Sequence, residues 1–377
     1  MSLNLRFSES GWERIARDWS AWWTGELERP LVVLECIEIL DRYDPHYAGV
    51  FLGNYPLNML ADDILDEFVP RLENTHYLGD SFPRFWPNFG PGIVAAFAGA
   101  QVHPSWDTTW FSPGRIGSVT DLRVSCDGQN LWWRRVCEVT QAALARWGSQ
   151  LAAGFTDLGG NLDILAHLRG SQQLLLDLYD APEEIDRLVG ETTQAWLACY
   201  NHLLDLIAPA GRGVTCWGPL WSPAGGYMLQ SDVSYMISPQ MFERFVLPDL
   251  AACCQKMDYA FYHLDGKGQI HHLDMLLSLS RLRGIQWVPG DGNPPPEHWL
   301  PLLKRIRDGG KLCQVTVTPE GALTIMRELG GKGFCFVIAE PQLTPEEGTA
   351  FLKQLGYCSA SPPAVASLRE GDRCQRF

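Results

Sequence analysis

The sequence predicts an α/β fold, a (β/α)8 TIM barrel with an N-terminal helical cap. Three observations carry that reading. Apolar runs at 258–264, 284–288, 311–317 and 333–338 alternate with helical patterns at 268–280, 296–308, 319–330 and 344–356. Such repeated strand–helix units imply a parallel sheet with crossover connections. Residues 30–36 form a further buried strand, and weaker runs at 85–90, 154–158 and 227–232 bring the strands to the barrel number.

Helix boundaries are explicit in the last third. Thr318-Pro319 reads as N-cap and first helical residue, with Gly330 just past the end. Thr344-Pro345-Glu346-Glu347 is a capping box, closed by Gly356. Earlier, Asp180 caps a helix running to about Ile207, and Ser238-Pro239 opens one through Lys256. Trp12, Trp19, Trp22 and Trp23 sit at roughly heptad spacing in an extension over 1–28. They predict either a plug for the barrel bottom or a homodimer contact. The stretch from about 90 to 130 is rich in Gly, Pro and Trp without a clean period, and is expected to be a lid over one mouth. One domain over 1–357 and a flexible tail over 358–377 complete the organisation.

Composition narrows the function. The chain has 377 residues, 46% hydrophobic and 20% charged, which suffices for a large core. A net charge of −14 argues against nucleic acid or an anionic membrane as main partner and leaves a small-molecule substrate. Eleven cysteines without any C-x-x-C spacing fit free buried thiols in a reducing compartment. The N-terminus has no long apolar segment and no run of eighteen apolar residues occurs, so a cytoplasmic protein is expected.

The most chemical stretch is Tyr259-Ala-Phe-Tyr-His-Leu-Asp-Gly-Lys-Gly268. His263 and Asp265 lie two apart, so on a strand both point to one face. Gly266 and Gly268 then break the strand, and polar groups at such an exit are where α/β enzymes place their chemistry. Asp157 and Asp232, also at strand ends, are the candidates for proton handling, each with a turn or capping role as its alternative. Asp163 reads as the cap of the helix that follows it. Trp86, Gln230, Gln286 and Trp287 are candidate substrate contacts. Arg169 is the first choice to meet a carboxylate, ahead of Arg84, Arg115 and Arg123, with a structural ion pair as its alternative.

Two stretches bring a family into view: Gln230–Pro248 followed by His263-Leu-Asp-Gly266, and Thr156-Asp-Leu-Gly-Gly-Asn-Leu-Asp-Ile-Leu165 followed by Leu168-Arg-Gly170. Together they resemble the uroporphyrinogen decarboxylase superfamily, which includes corrinoid-protein:coenzyme M methyltransferases. The resemblance covers most of 30–356 and implies a TIM barrel with its site at the C-terminal mouth. True decarboxylases of this kind carry Arg-Gln-Ala-Gly-Arg-Tyr after the first strand, whose arginines grip substrate carboxylates. Here the segment reads Ile39-Leu-Asp-Arg-Tyr-Asp-Pro-His46, with Arg42 alone. The methyltransferase branch implies a zinc ion held by His-x-Cys and by a Cys after the last strand. This chain has His263-x-Asp265 and Ile338-Ala-Glu340 at those places, exchanging soft thiolates for hard carboxylates.

The expected activity is therefore methyl transfer between a corrinoid carried by a partner protein and a small donor or thiol acceptor. A divalent metal, zinc first, would sit on His263, Asp265 and Glu340, with His167, His271 or His272 as further ligands. One alternative is a metal-free decarboxylase or lyase anchored by Arg169 and Arg42. Another is a barrel that binds a ligand without catalysis.

Overall fold

A computed structural model describes residues 2–38, 51–105, 108–115, 117–339 and 343–357. Twelve strands are present among them: β1 (Leu31–Ile37), β2 (Thr75–Gly79), β3 (Arg84–Phe85), β4 (Gln101–Pro104), β5 (Thr109–Ser112), β6 (Ala152–Gly154), β7 (Val214–Thr215), β8 (Gly226–Leu229), β9 (Tyr259–Asp265), β10 (Leu282–Val288), β11 (Leu312–Val317) and β12 (Phe334–Ile338). Seven form one sheet in the order β2-β1-β12-β11-β10-β9-β8, while β3-β6-β7 form a second and β4-β5 a hairpin. Apart from the antiparallel β1–β2 pair, every pairing in the two larger sheets is parallel.

The parallel order follows the chain, as expected of right-handed strand–helix units. The expected closed barrel is not confirmed, however, because no hydrogen-bonded ring closes among the described residues. On one side, β1 already carries β2 on the edge away from β12, and its Val32 and Leu34 N–H groups are taken by the Asp80 carboxylate at 2.9 Å and the Ser81 hydroxyl at 2.6 Å. On β7, the backbone of Ser222 folds back and exchanges hydrogen bonds with Val214 at 2.8 and 2.9 Å. A strand whose edge is satisfied locally has no orphan donors left for a ladder.

The amino ends of the strands are plugged by the helix Glu9–Trp23, capped by the Ser8 hydroxyl accepting from Gly11 N–H. Its Trp19, Trp22 and Trp23 indoles donate to the carbonyls of Asp80, Phe334 and Trp221 at 3.0, 3.0 and 2.8 Å. Trp22 is fully buried and its ring lies 6.0 Å from Phe261. The tryptophan spacing thus makes the predicted plug, since each indole body seals apolar strand ends while its N–H pairs with a carbonyl.

Helices in the last third fall where their caps put them, at Pro319–Leu329 and at Pro345–Gln354 with both arms of the capping box formed. The helix expected from Ser238 to Lys256 is instead two, Pro239–Phe245 and Leu247–Gln255, broken where Pro248 lacks its donor. The region from 90 to 130 contains the β4-β5 hairpin and packs on the helix Asn161–Arg169, with the Phe111 and His167 rings 5.1 Å apart. No helix of the described residues is long and apolar enough to cross a membrane.

Candidate functional site

The site lies at the carboxyl ends of the parallel strands, built from three turns. The first follows β6 and carries Asp157. Its buried carboxylate accepts from Gly159 N–H at 2.9 Å and faces the Tyr227 hydroxyl at 3.5 Å. Burial raises the Asp157 carboxyl from 3.8 to about 7, against the bonds from Gly159 and Gly92 and helped by the Asp232 charge. A Cβ on Gly160 would stand 2.2 Å from the Gln230 carbonyl, so glycine alone lets this turn approach the next one.

The second turn follows β8. Gln230 is buried there, and Asp232 opens a 3-10 turn over Asp232–Met236. The Asp163 carboxylate holds that turn, accepting from Asp232 N–H at 2.9 Å and Val233 N–H at 2.8 Å. Asp163 does not cap its own helix as predicted; it reaches across to fix the backbone of Asp232. Burial pushes the Asp163 carboxyl well up, with the Asp232 charge adding to it and the two N–H bonds opposing.

The third turn ends β9. The His263 and Asp265 side chains are half-buried on one face, as their spacing predicts. Gly266 takes a φ of 77°, and both Gly266 and Gly268 lie beneath the Tyr235 ring, 2.8 and 2.7 Å from where a Cβ would stand. Beside Asp265 an open cleft of about 440 Å³ runs along Val288, Pro289, Asp291 and Asn293.

These turns bring Asp232, His263 and Asp265 together, each offering a ligand atom within 4.8 Å of the others. Asp232 is exposed as a residue. Partial desolvation raises its pKa, His263 opposes the rise, and Asp265 adds to it. The sequence indicated His263 and Asp265 as a pair but gave Asp232 a proton-handling role apart from them. Nothing in its spacing, 31 residues before His263, marks it as their neighbour.

The other expected site residues divide. Glu340 and Arg42 lie outside the described residues. Arg169 is bound to Asp177 at 2.5 Å and to the Gly117 carbonyl, so it forms the structural ion pair that was its alternative. Trp287 is fully buried, edge-on to Trp299 at 5.1 Å, whereas Trp86 is half-buried with its indole N–H buried and unpaired among the described residues. Gln286 lies behind the cluster, its carbonyl oxygen 2.5 Å from His263 Nδ1. His167, His271 and His272 stay outside the cluster. His167 is half-buried and lowered to about 4 by desolvation, and His272 bonds the Ser234 carbonyl at 2.9 Å. Sequence reasoning missed Trp217, whose ring stands edge-on to His263 at 5.1 Å.

No protein-family model matches the sequence, and neither does any curated protein. Among solved structures, the fold is similar to that of a methyltransferase from Methanosarcina mazei. The TM-score is 0.61 at 12% sequence identity, and the match covers 91% of this chain and 98% of the other. At that identity the likeness shows a shared fold alone.

Proposed function

We propose that this chain is a methyl-transferring enzyme of the uroporphyrinogen decarboxylase superfamily, built on a variant of its barrel and working in the cytoplasm. In this reading a divalent metal sits on Asp232, His263 and Asp265, and the methyl group is exchanged with a corrinoid that a partner protein carries. The observation that carries the proposal is the convergence of one imidazole and two carboxylates at strand exits. Such a set of hard oxygens and one borderline nitrogen suits zinc, manganese or iron better than a thiolate-seeking ion. Glu340, which follows β12, is proposed as an additional oxygen donor.

A bound cation would supply Lewis acidity that favours the anionic form of a thiol or water at the cleft. The chain's own residues do the remainder. Asp163 holds the backbone that delivers Asp232, and Gly266 and Gly268 leave room for the Tyr235 ring to pack against the turn. Asp157, titrating near neutrality, is suited to take the proton that a thiol acceptor gives up. Trp217 supplies an aromatic wall beside His263, and Trp86 is proposed as a second. The decarboxylase alternative is weakened by the commitment of Arg169 to Asp177, which leaves it no free fork for a substrate carboxylate.

The test is elemental analysis of purified protein, followed by transfer assays with a methylated cobamide and thiols. Wild-type protein is expected to hold about one divalent ion per chain, and His263→Ala and Asp265→Asn each to lose most of it. Unchanged metal content in His263→Ala would remove the basis of the proposal.

A further inference from the structure

Behind His263 lies a row of polar side chains on four adjacent strands. The register pairs His263 of β9 with Gln286 of β10, Gln286 with Gln314 of β11, and Gln314 with Cys335 of β12. Gln286 is 5% exposed and Gln314 is fully buried, so neither amide exchanges its bonds with water. His263 Nδ1 meets Gln286 Oε1 at 2.5 Å, and Gln286 Nε2 donates to Gln314 Oε1 at 2.7 Å. Gln314 Nε2 ends the row against the Pro219 carbonyl at 3.4 Å and Cys335 Sγ at 3.6 Å.

The polarity of this row is set by its far end. A carbonyl oxygen only accepts, so Gln314 must turn its NH2 toward Pro219. Its own oxygen then faces Gln286, which must donate, and the Gln286 oxygen is left for His263. An oxygen there accepts only from a protonated Nδ1. Reversing both amides would set two carbonyl oxygens 3.4 Å apart in a dry interior. The geometry points to Gln286 and Gln314 as positioning residues that keep a proton on His263 Nδ1, leaving Nε2 as the nitrogen free for the Asp232 and Asp265 cluster. The tautomer assignment stands on the hydrogen-bond row alone, while its consequence for a metal rests on the function proposed above.

The test uses metal-free protein labelled with 15N-histidine, with His263→Asn assigning the His263 signals. Long-range proton–nitrogen spectra are expected to show a protonated, pyrrole-like Nδ1, whether or not Nε2 also carries a proton. A pyridine-like Nδ1, or an averaged pair of nitrogens, would overturn the assignment. Gln314→Leu, which does not touch the ring, is expected to shift His263 toward mixed tautomers, and an unmoved spectrum there would remove Gln314 from the row. Gln286→Leu is expected to weaken zinc binding roughly 10- to 100-fold, the range found for such supporting bonds. Equal zinc affinity in wild type and Gln286→Leu would refute the positioning role. If wild type binds no zinc while the tautomer is as stated, the metal reading fails and the row stands.

Discussion

Replacing Asp157 by Asn should stabilise this protein, and the gain should depend on pH in a defined way. The native carboxyl holds its proton up to about pH 7 because burial disfavours the charge, whereas the unfolded chain releases it near 3.8. Between those values the folded state binds the extra proton, so stability falls as pH rises. The gap is about three pH units, and at ~1.4 kcal/mol per unit Asp157 costs about 4 kcal/mol once the pH exceeds 7. Below pH 3.8 both states are neutral there and the cost vanishes. Asparagine keeps an oxygen for Gly159 N–H and has no proton to lose. The variant's advantage is therefore expected to be near zero at pH 4, to grow through pH 6 and to level off above 7. For a chain of this size that amounts to a melting temperature about 5 °C higher at pH 8. Denaturant titrations of both proteins across pH 4 to 8 measure it directly. A stability difference that stays flat over that range would refute the account of Asp157 as a buried, reluctantly ionised acid. A gain in stability with a loss of turnover would be the usual exchange at a site whose burial serves proton transfer.

Two further perturbations separate the frame from the site. Arg169→Ala leaves the buried Asp177 carboxylate with only the Gln173 amide at 3.0 Å, and is expected to cost roughly 3–5 kcal/mol in denaturant titration. The KM of any carboxylated substrate should be unchanged, and a large KM increase in the folded variant would restore Arg169 to the binding site. Trp22→Ala empties a fully buried position between Trp19, Trp23 and Phe261 at the amino ends of the strands, and should cost roughly 3–5 kcal/mol. Because the plug and the Asp232, His263 and Asp265 group lie at opposite strand ends, any metal content at saturation should survive that change.

Much of the frame was legible because it rests on local physics. Capping residues at Thr318 and Thr344 decide their helices within four positions, and the apolar runs of β9 to β12 are long enough to read by length and composition. The weak strands were harder. β3 and β6 span only two and three residues, so most of each predicted run lies beyond the ladder. β7 is two residues long and was missed altogether. How the two sheets end among the described residues is something no periodicity encodes. Whether Ser81 spends its hydroxyl on Leu34, or Ser222 its backbone on Val214, depends on how a connection folds back, and serines in loops carry no such mark.

The site divides along the same line. His263 and Asp265 were readable because a strand's alternation converts a spacing of two into a shared face. Asp232 could not be joined to them, since its place is set by Asp163, a residue from another unit that grips two backbone N–H groups. Gln286 and Gln314 show a further limit. Each was one polar residue in an apolar strand, and a single buried amide reads equally as substrate contact or core. Register alone turns them into a row, because parallel pairing brings His263, Gln286 and Gln314 level on neighbouring strands. Chemistry that depends on one residue's neighbours along the chain is visible in sequence. Chemistry that depends on which strands lie side by side waits for the pairing, and here that pairing decides which nitrogen of His263 is left to act.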